Sequence, residues 1–149
     1  MAVQMTQGNE GLVVGSCNTE GTPDLQWLET TLSQPNNKIQ MVTVVNPGNP
    51  TGVSLKRDVL QQIVDICGKR GVWLVLDCTY EHFDHLHGSD TFPGFPQEHV
   101  IHIFSFSKGH ALAGFRCGYL VTSKSNDKFY SQLLRCKIPF SFVVHEYRK

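Results

Sequence analysis

Residues 72–77 have the sequence VWLVLD, an unbroken apolar run that ends in an aspartate. A strand without alternating polar residues is typical of a parallel sheet that is covered on both faces. A carboxylate at the end of such a strand is costly to bury unless a cation or a hydrogen-bond donor meets it. The stretch therefore predicts an α/β fold with a polar site beside Asp77.

Further short runs of apolar or β-branched residues predict strands on either side of this one, at residues 12–14, 39–45, 100–104 and 118–122. Only 13 residues separate the last two runs. A full helical crossover does not fit in that length, so we expect the last strand to run antiparallel. The pattern predicts the α/β class, with a mostly parallel sheet and flanking helices.

Three segments carry helix signals. Asp24 precedes a segment with apolar residues at helical spacing, and the clearest helix has Ser54 as its expected N-cap and Gly71 as its C′ glycine. Residues 126–137 are the third helix candidate. The apolar residues 140–144 follow it with little chain left to cover them.

Composition and charge exclude several classes of protein. The 149 residues fit one domain, and 13 basic residues balance 13 acidic ones, so no basic field attracts a nucleic acid or a membrane. The longest apolar runs are far shorter than a membrane span. Five widely spaced cysteines, an odd number without a CxxC pair, favour a reducing compartment, and we expect a cytoplasmic protein.

Polar side chains follow three successive predicted strands. Asn49 follows the first, Asp77 and Tyr80 the second, and Ser105 and Lys108 the third. Ligands of open parallel sheets bind beyond the carboxyl ends of the strands, so these residues are expected to converge.

The side-chain types suit one cofactor. A protonated pyridine nitrogen would partner Asp77, and Lys108 would form an imine with an aldehyde. Donors suited to a phosphate come from Ser105, Ser107 and Arg116. Together these are the groups required to hold pyridoxal phosphate.

Three motifs in order resemble the fold-type I, class I/II aminotransferase family. They are NPGNPTG at 46–52, DCTY at 77–80 and SFSKGHALAGFRCGY at 105–119, with the eight-residue step from Lys108 to Arg116. The flanking residues are most similar to plant-type aromatic aminotransferases.

The resemblance implies a role for each candidate residue. Lys108 would be the Schiff-base lysine and the base that moves the substrate proton, and Asp77 would keep the ring nitrogen protonated. Asn49 and Tyr80 would bind the 3′ oxygen of the ring. The phosphate would be held by the remaining three candidates, Ser105, Ser107 and Arg116.

The resemblance also implies which part of the enzyme this chain represents and which substrates and partner subunit the intact enzyme uses. It implies that residues 1–149 are a central part of the large domain. The N-terminal segment, with its glycine-rich phosphate loop and stacking aromatic, and the C-terminal small domain, with its carboxylate-binding arginine, would lie outside. We expect weak cofactor binding and little turnover from this chain alone. The intact enzymes are expected to be homodimers that use an aromatic or methionine-like amino acid and a 2-oxo acid.

Several alternatives remain open. The same cofactor serves C–S lyases and cyclopropane-forming synthases, and the chain could instead be a non-catalytic partner of a full-length homologue. Asp77, Asn49 and Ser107 could simply cap or shape turns. The histidines at 82, 85 and 87 are expected to be solvated, with no metal site. A Rossmann oxidoreductase is disfavoured because no GxGxxG follows a strand.

Overall fold

The computed structural model describes residues 11–83 and 94–123, Phe129, Ser131 and the backbone of residues 141–146. The elements follow in chain order as α1 (Leu25–Leu32), β1 (Met41–Val45), α2 (Arg57–Lys69), β2 (Trp73–Asp77), a 3-10 turn (Glu81–Phe83), β3 (Val100–Ser105), the single-turn helix α3 (Phe106–Gly109), a second 3-10 turn (Ala113–Phe115), β4 (Cys117–Thr122) and β5 (Ser141–Glu146).

The five strands form one sheet in the order β1-β2-β3-β4-β5. β1, β2 and β3 pair in parallel, and β4 runs antiparallel to β3. β5 pairs in parallel with β4, so residues 141–146 continue the sheet. The predicted α/β class and the antiparallel direction of β4 are confirmed.

The two long helices begin and end for identifiable reasons. The side chain of Asp24 accepts a hydrogen bond from the backbone of Trp27 and caps α1 as predicted. Gly71 has a φ of +64° and follows the end of α2, a conformation that favours glycine. Ser54 is not the N-cap of α2, because the helix begins three residues later and Lys56 occupies the cap position without a side-chain hydrogen bond.

Apolar side chains cover both faces of the sheet. Leu74 and Leu76 pack with the buried residues of α1 and α2 on one face, and Val75 packs with Ile101 and Leu120 on the other. The alternation along β2 follows from the two-residue period of a strand. It explains why residues 72–76 are apolar without interruption.

Two other sequence predictions have different outcomes. Residues 12–14 do not form a strand: Val13 and Val14 are exposed, and no described strand pairs with them. The helix predicted at 126–137 lies almost wholly outside the described residues. No helix among the residues that the structure describes is long and apolar enough to cross a membrane.

Candidate active site

The carboxyl ends of β1, β2 and β3 lie side by side. Val45 is the register partner of Asp77, and Asp77 is the register partner of Ile103. The backbone N–H of Asn46 donates to the carbonyl of Asp77 (2.9 Å), and that of Cys78 donates to Ile103 (2.8 Å). The chain therefore leaves all three strands at one edge of the sheet, as the alternation of elements predicts.

The loop after β1 is held by its own hydrogen bonds. The buried side chain of Asn46 accepts from the backbone N–H of Leu55 through Oδ1 (2.8 Å). Gly48 N–H donates to the carbonyl of Val53, and Gly52 N–H donates to the carbonyl of Gly48, both at 2.8 Å. This compact loop presents the exposed side chain of Asn49 at the sheet edge.

A hydrogen bond joins two candidate residues that are 31 positions apart. Asn49 Nδ2 donates to the hydroxyl oxygen of Tyr80 across 3.0 Å. The Tyr80 ring also meets Phe83 edge to face, with centroids 5.9 Å apart. Because Asn49 donates to the Tyr80 oxygen, the Tyr80 hydroxyl proton can be donated to a further acceptor.

Asp77 is partly buried at the end of β2. Its Oδ1 accepts from the backbone N–H of Thr79 (3.0 Å) and from the Thr79 hydroxyl (2.6 Å). Oδ2 receives no hydrogen bond from any residue in the described part of the chain. One carboxylate oxygen is thus held, and the other can accept from a ligand.

The segment after β3 carries the other candidates. Ser105 Oγ accepts from the backbone N–H of Ser107 (3.1 Å) and caps α3, in which Lys108 is exposed. Arg116 has a left-handed backbone (φ +51°), and its Nη1 donates to the carbonyl of Ala113 (3.0 Å). Within the described ranges, no hydrogen bond or ion pair joins Lys108 or Arg116 to the candidates after β1 and β2.

Acidic groups surround the edge of the site. Burial raises the pKa of the Cys78 thiol, and the negative charges of Glu81 and Asp77 raise it further. Burial also raises the pKa of Glu81, against the opposing effect of His82 and His110. A partly buried region with two carboxyl groups attracts a cationic ligand.

Two histidine side chains pack beside Gly109, the residue that follows Lys108. The His82 ring lies edge to face with His110 at a centroid distance of 5.2 Å, and its Nε2 is 3.5 Å from Glu81 Oε1. A Cβ on Gly109 would overlap His82, so a glycine is required for this contact. His85 and His87 lie outside the described residues, and within those residues no three metal-ligating side chains come together.

Two residues of the site were not singled out from the sequence. Asn46 holds the loop after β1, and Thr79 holds Asp77. Both lie inside the quoted motifs NPGNPTG and DCTY. The sequence does place an amide or a hydroxyl side chain close to a candidate residue in both cases. Such side chains are common in turns, so this pattern alone does not identify a site residue.

The chain matches the family model "Aminotransferase class I and II" over residues 7–146. It is 38% identical over 136 residues to an aromatic aminotransferase of Arabidopsis thaliana. This alignment covers 91% of this chain and 34% of the plant protein. It is 34% identical over 94 residues to an aspartate aminotransferase of Thermotoga maritima. This alignment covers 58% of this chain and 24% of that protein.

Solved structures show the same fold. The aspartate aminotransferase of Thermotoga maritima aligns with a TM-score of 0.63 at 24% identity, covering 83% of this chain and 32% of that one. A PLP-dependent aminotransferase of Streptococcus suis aligns with a TM-score of 0.61 at 25% identity, covering 78% and 30%. The chain therefore spans about a third or less of the length of these proteins.

Proposed function

Because this chain belongs to the class I and II aminotransferase family, we propose that it is part of a pyridoxal-phosphate-dependent enzyme that transfers an amino group between an amino acid and a 2-oxo acid. The observation that carries the proposal is the hydrogen bond between Asn49 and Tyr80 beside the carboxylate of Asp77. It brings two neutral donors and one anionic acceptor to one edge of the sheet, a pattern that matches a phenol and a pyridine nitrogen on one ring.

The residues present fit the cofactor. Asp77 keeps Oδ2 available for a protonated ring nitrogen, while Thr79 occupies its Oδ1. Tyr80 keeps a hydroxyl proton for the ring oxygen, because it accepts from Asn49. When bound, pyridoxal phosphate supplies an aldehyde and a ring that withdraws electrons from the substrate Cα.

Each side chain then has one task. Asp77 holds the proton on the ring nitrogen, which preserves the ring's capacity to accept electrons. Asn49 and Tyr80 donate to the ring oxygen and stabilise its anionic form. Lys108 would hold the cofactor through its amine before the substrate binds, and as a free amine it would move the proton at the substrate Cα.

The phosphate is assigned to the segment after β3. Ser105 and Ser107 supply hydroxyl donors, and Arg116 supplies a planar guanidinium suited to two phosphate oxygens. Arg116 donates to the carbonyl of Ala113 through Nη1, and because a guanidinium has five N–H donors, its other donors can bind the anion.

The substrate class follows from similarity to the plant relative, whose name specifies aromatic amino acids. We infer an aromatic or methionine-like amino donor, a 2-oxo acid acceptor and a homodimer in the intact enzyme. We also infer that residues 1–149 form part of the large domain, so that other parts supply the substrate-carboxylate site.

The test is covalent trapping. The chain is mixed with pyridoxal phosphate, reduced with borohydride and digested, and the labelled peptide is identified by mass spectrometry. Label is expected on Lys108 and lost in Lys108→Arg. Lys69→Arg, in the last turn of α2, is the matched control and should retain the label.

Two results would contradict the proposal. One is label found mainly on Lys124, Lys128 or Lys137. The other concerns the products of the intact enzyme, with the N-terminal segment and the small domain present. Phenylalanine, tyrosine, tryptophan or methionine, together with a 2-oxo acid, should give the oxo acid of the donor and a new amino acid. Release of ammonia and a thiol without a new amino acid would instead indicate a lyase.

A further inference from the structure

Thr79 makes two hydrogen bonds to one carboxylate oxygen. Its backbone N–H and its hydroxyl both donate to Asp77 Oδ1, at 3.0 and 2.6 Å. The hydroxyl bond has the short length typical of an O–H donor on an anionic oxygen. Both residues are partly buried, so water competes less for these bonds than it would at an exposed site.

These bonds determine how the carboxylate is presented. The terminal torsion of an aspartate is broad and roughly two-fold, so an isolated carboxylate turns easily. Two donors on Oδ1 select one orientation of the plane and leave Oδ2 as the free acceptor. Threonine suits this task because branching at Cβ restricts its χ1 torsion.

The orientation of the Asp77 carboxylate is fixed together with its backbone, because the end of β2 is held by hydrogen bonds on both sides. Asp77 is bonded through its backbone to Asn46 on one side, and its neighbour Cys78 is bonded to Ile103 on the other. The backbone of Asp77 is therefore fixed by the sheet, and its side chain is fixed by Thr79. A ligand that bonds to Oδ2 meets an acceptor that loses little conformational freedom on binding.

Building on the proposed function, in which Asp77 holds the protonated ring nitrogen, we propose that Thr79 is a positioning residue that turns the Asp77 carboxylate so that Oδ2 receives the ring N–H. Thr79 does not touch the ring. Its hydroxyl acts through Asp77 alone, and its effect is on the affinity for the cofactor.

The first measurement needs no cofactor. The carboxyl carbon of Asp77 is observed by NMR in the wild-type chain and in the Thr79→Val and Thr79→Ser variants. Valine has nearly the shape of threonine but no hydroxyl, and serine retains the hydroxyl. The Asp77 resonance is expected to move toward that of a solvated aspartate in Thr79→Val and to stay near the wild-type position in Thr79→Ser.

The second measurement is the dissociation constant of pyridoxal phosphate, from absorbance titration. Thr79→Val is expected to weaken binding about tenfold, the lower range for a hydrogen bond to a charged group. Thr79→Ser should restore most of this loss. Thr43→Val is the matched control, an exposed position on β1, and should bind as the wild type does. Thermal unfolding of each variant shows whether the fold is retained.

The outcomes separate this inference from the proposed function. If Asp77→Asn weakens binding but Thr79→Val does not, the inference about Thr79 is wrong and the proposed function stands. If Asp77→Asn leaves binding unchanged, the role assigned to Asp77 in the proposed function is wrong and the inference fails with it, while label on Lys108 in the trapping experiment tests the proposed function separately. If Thr79→Ser binds as weakly as Thr79→Val, side-chain packing and not the hydroxyl explains the loss, and the inference is again wrong.

Discussion

Asp77 and the cysteines show how position sets the chemistry of single residues. Asp77 is a carboxylate at the end of an apolar strand, and it is stabilised there by two donors from Thr79. The thiols of Cys67 and Cys78 lie in the apolar interior, where burial raises the pKa of each. Burial disfavours the charged form of a thiol, so both cysteines are held as neutral thiols, whereas the carboxylate of Asp77 has two hydrogen-bond donors.

In a protein that also contains the N-terminal segment and the small domain, Asp77→Asn is expected to weaken amino-group transfer far more than folding. The amide can still accept from Thr79, and the volume hardly changes, so the unfolding temperature should shift by only a few degrees. A neutral amide cannot hold the proton on the ring nitrogen. The single-turnover rate with excess amino acid should fall by about 100-fold or more, in line with the loss of one preorganised electrostatic group. A rate near that of the wild type would contradict the role assigned to Asp77.

Cysteine alkylation is expected to follow burial. Burial raises the pKa of Cys67 to about 11, so at about pH 8 only about one molecule in a thousand carries the reactive thiolate. Cys17 is exposed. Iodoacetamide should therefore label Cys17 at least about 100-fold faster than Cys67, as followed by peptide mass spectrometry. In denaturant the two rates should become similar. Equal rates in the folded chain would show that Cys67 is not buried.

At the scale of elements, helix ends depend on one or two residues. α1 begins at the side-chain cap of Asp24, whereas α2 begins without one and ends before Gly71. The left-handed backbone of Gly71 turns the chain from α2 into β2, the strand that carries Asp77. The position of the candidate site therefore depends on this turn.

Gly71→Ala is expected to destabilise the fold by about 1 kcal/mol, the cost of a left-handed conformation for a residue with a Cβ. Apart from its two chain neighbours, no described residue has an atom within 4 Å of the added Cβ, so the cost comes from the backbone conformation. Gly114→Ala is the matched control, because that position is equally open and has no positive φ. Chemical denaturation gives both values. An equal effect of the two substitutions would show that the conformation of Gly71 is not the cause.

At the scale of the whole molecule, β3 connects both layers of the core. Val100 and Phe104 pack on the face covered by α1 and α2, and Ile101 packs on the other. His102 is nearly inaccessible in the same strand and stacks on Phe95, with ring centroids 6.4 Å apart. Burial lowers the pKa of His102 to about 4.

His102 is expected to make the fold sensitive to acid. Between about pH 6.5 and pH 4 the unfolded chain binds a proton at this histidine and the folded chain does not. The free energy of unfolding therefore falls as the pH falls, by up to about 1.4 kcal/mol per pH unit from this group. His102→Gln has no titratable group and retains an acceptor for the Phe95 N–H, so its stability should depend less on pH in this range. Denaturation of both proteins at several pH values measures the difference, and identical pH profiles would contradict it.

The sequence alone determined the class of the sheet and the directions of β1 to β4, whereas β5 was not predicted. The unbroken apolar run at 72–76 predicts a strand covered on both faces, and the short connection before β4 predicts an antiparallel strand. These predictions succeed because periodicity and connection length are properties of the local chain. The same reasoning placed the candidate residues at neighbouring strand ends.

Only the tertiary structure decided which polar groups meet. The amide oxygen of Asn46 accepts from the backbone N–H of Leu55, and α2 begins only at Arg57, with Lys56 and not Ser54 at the cap position. Asn49 meets Tyr80 from 31 positions away, and residues 12–14 remain outside the sheet because no described strand pairs with them. Such contacts depend on where the fold brings donors and acceptors, and local propensity does not specify that when the partners are distant in sequence.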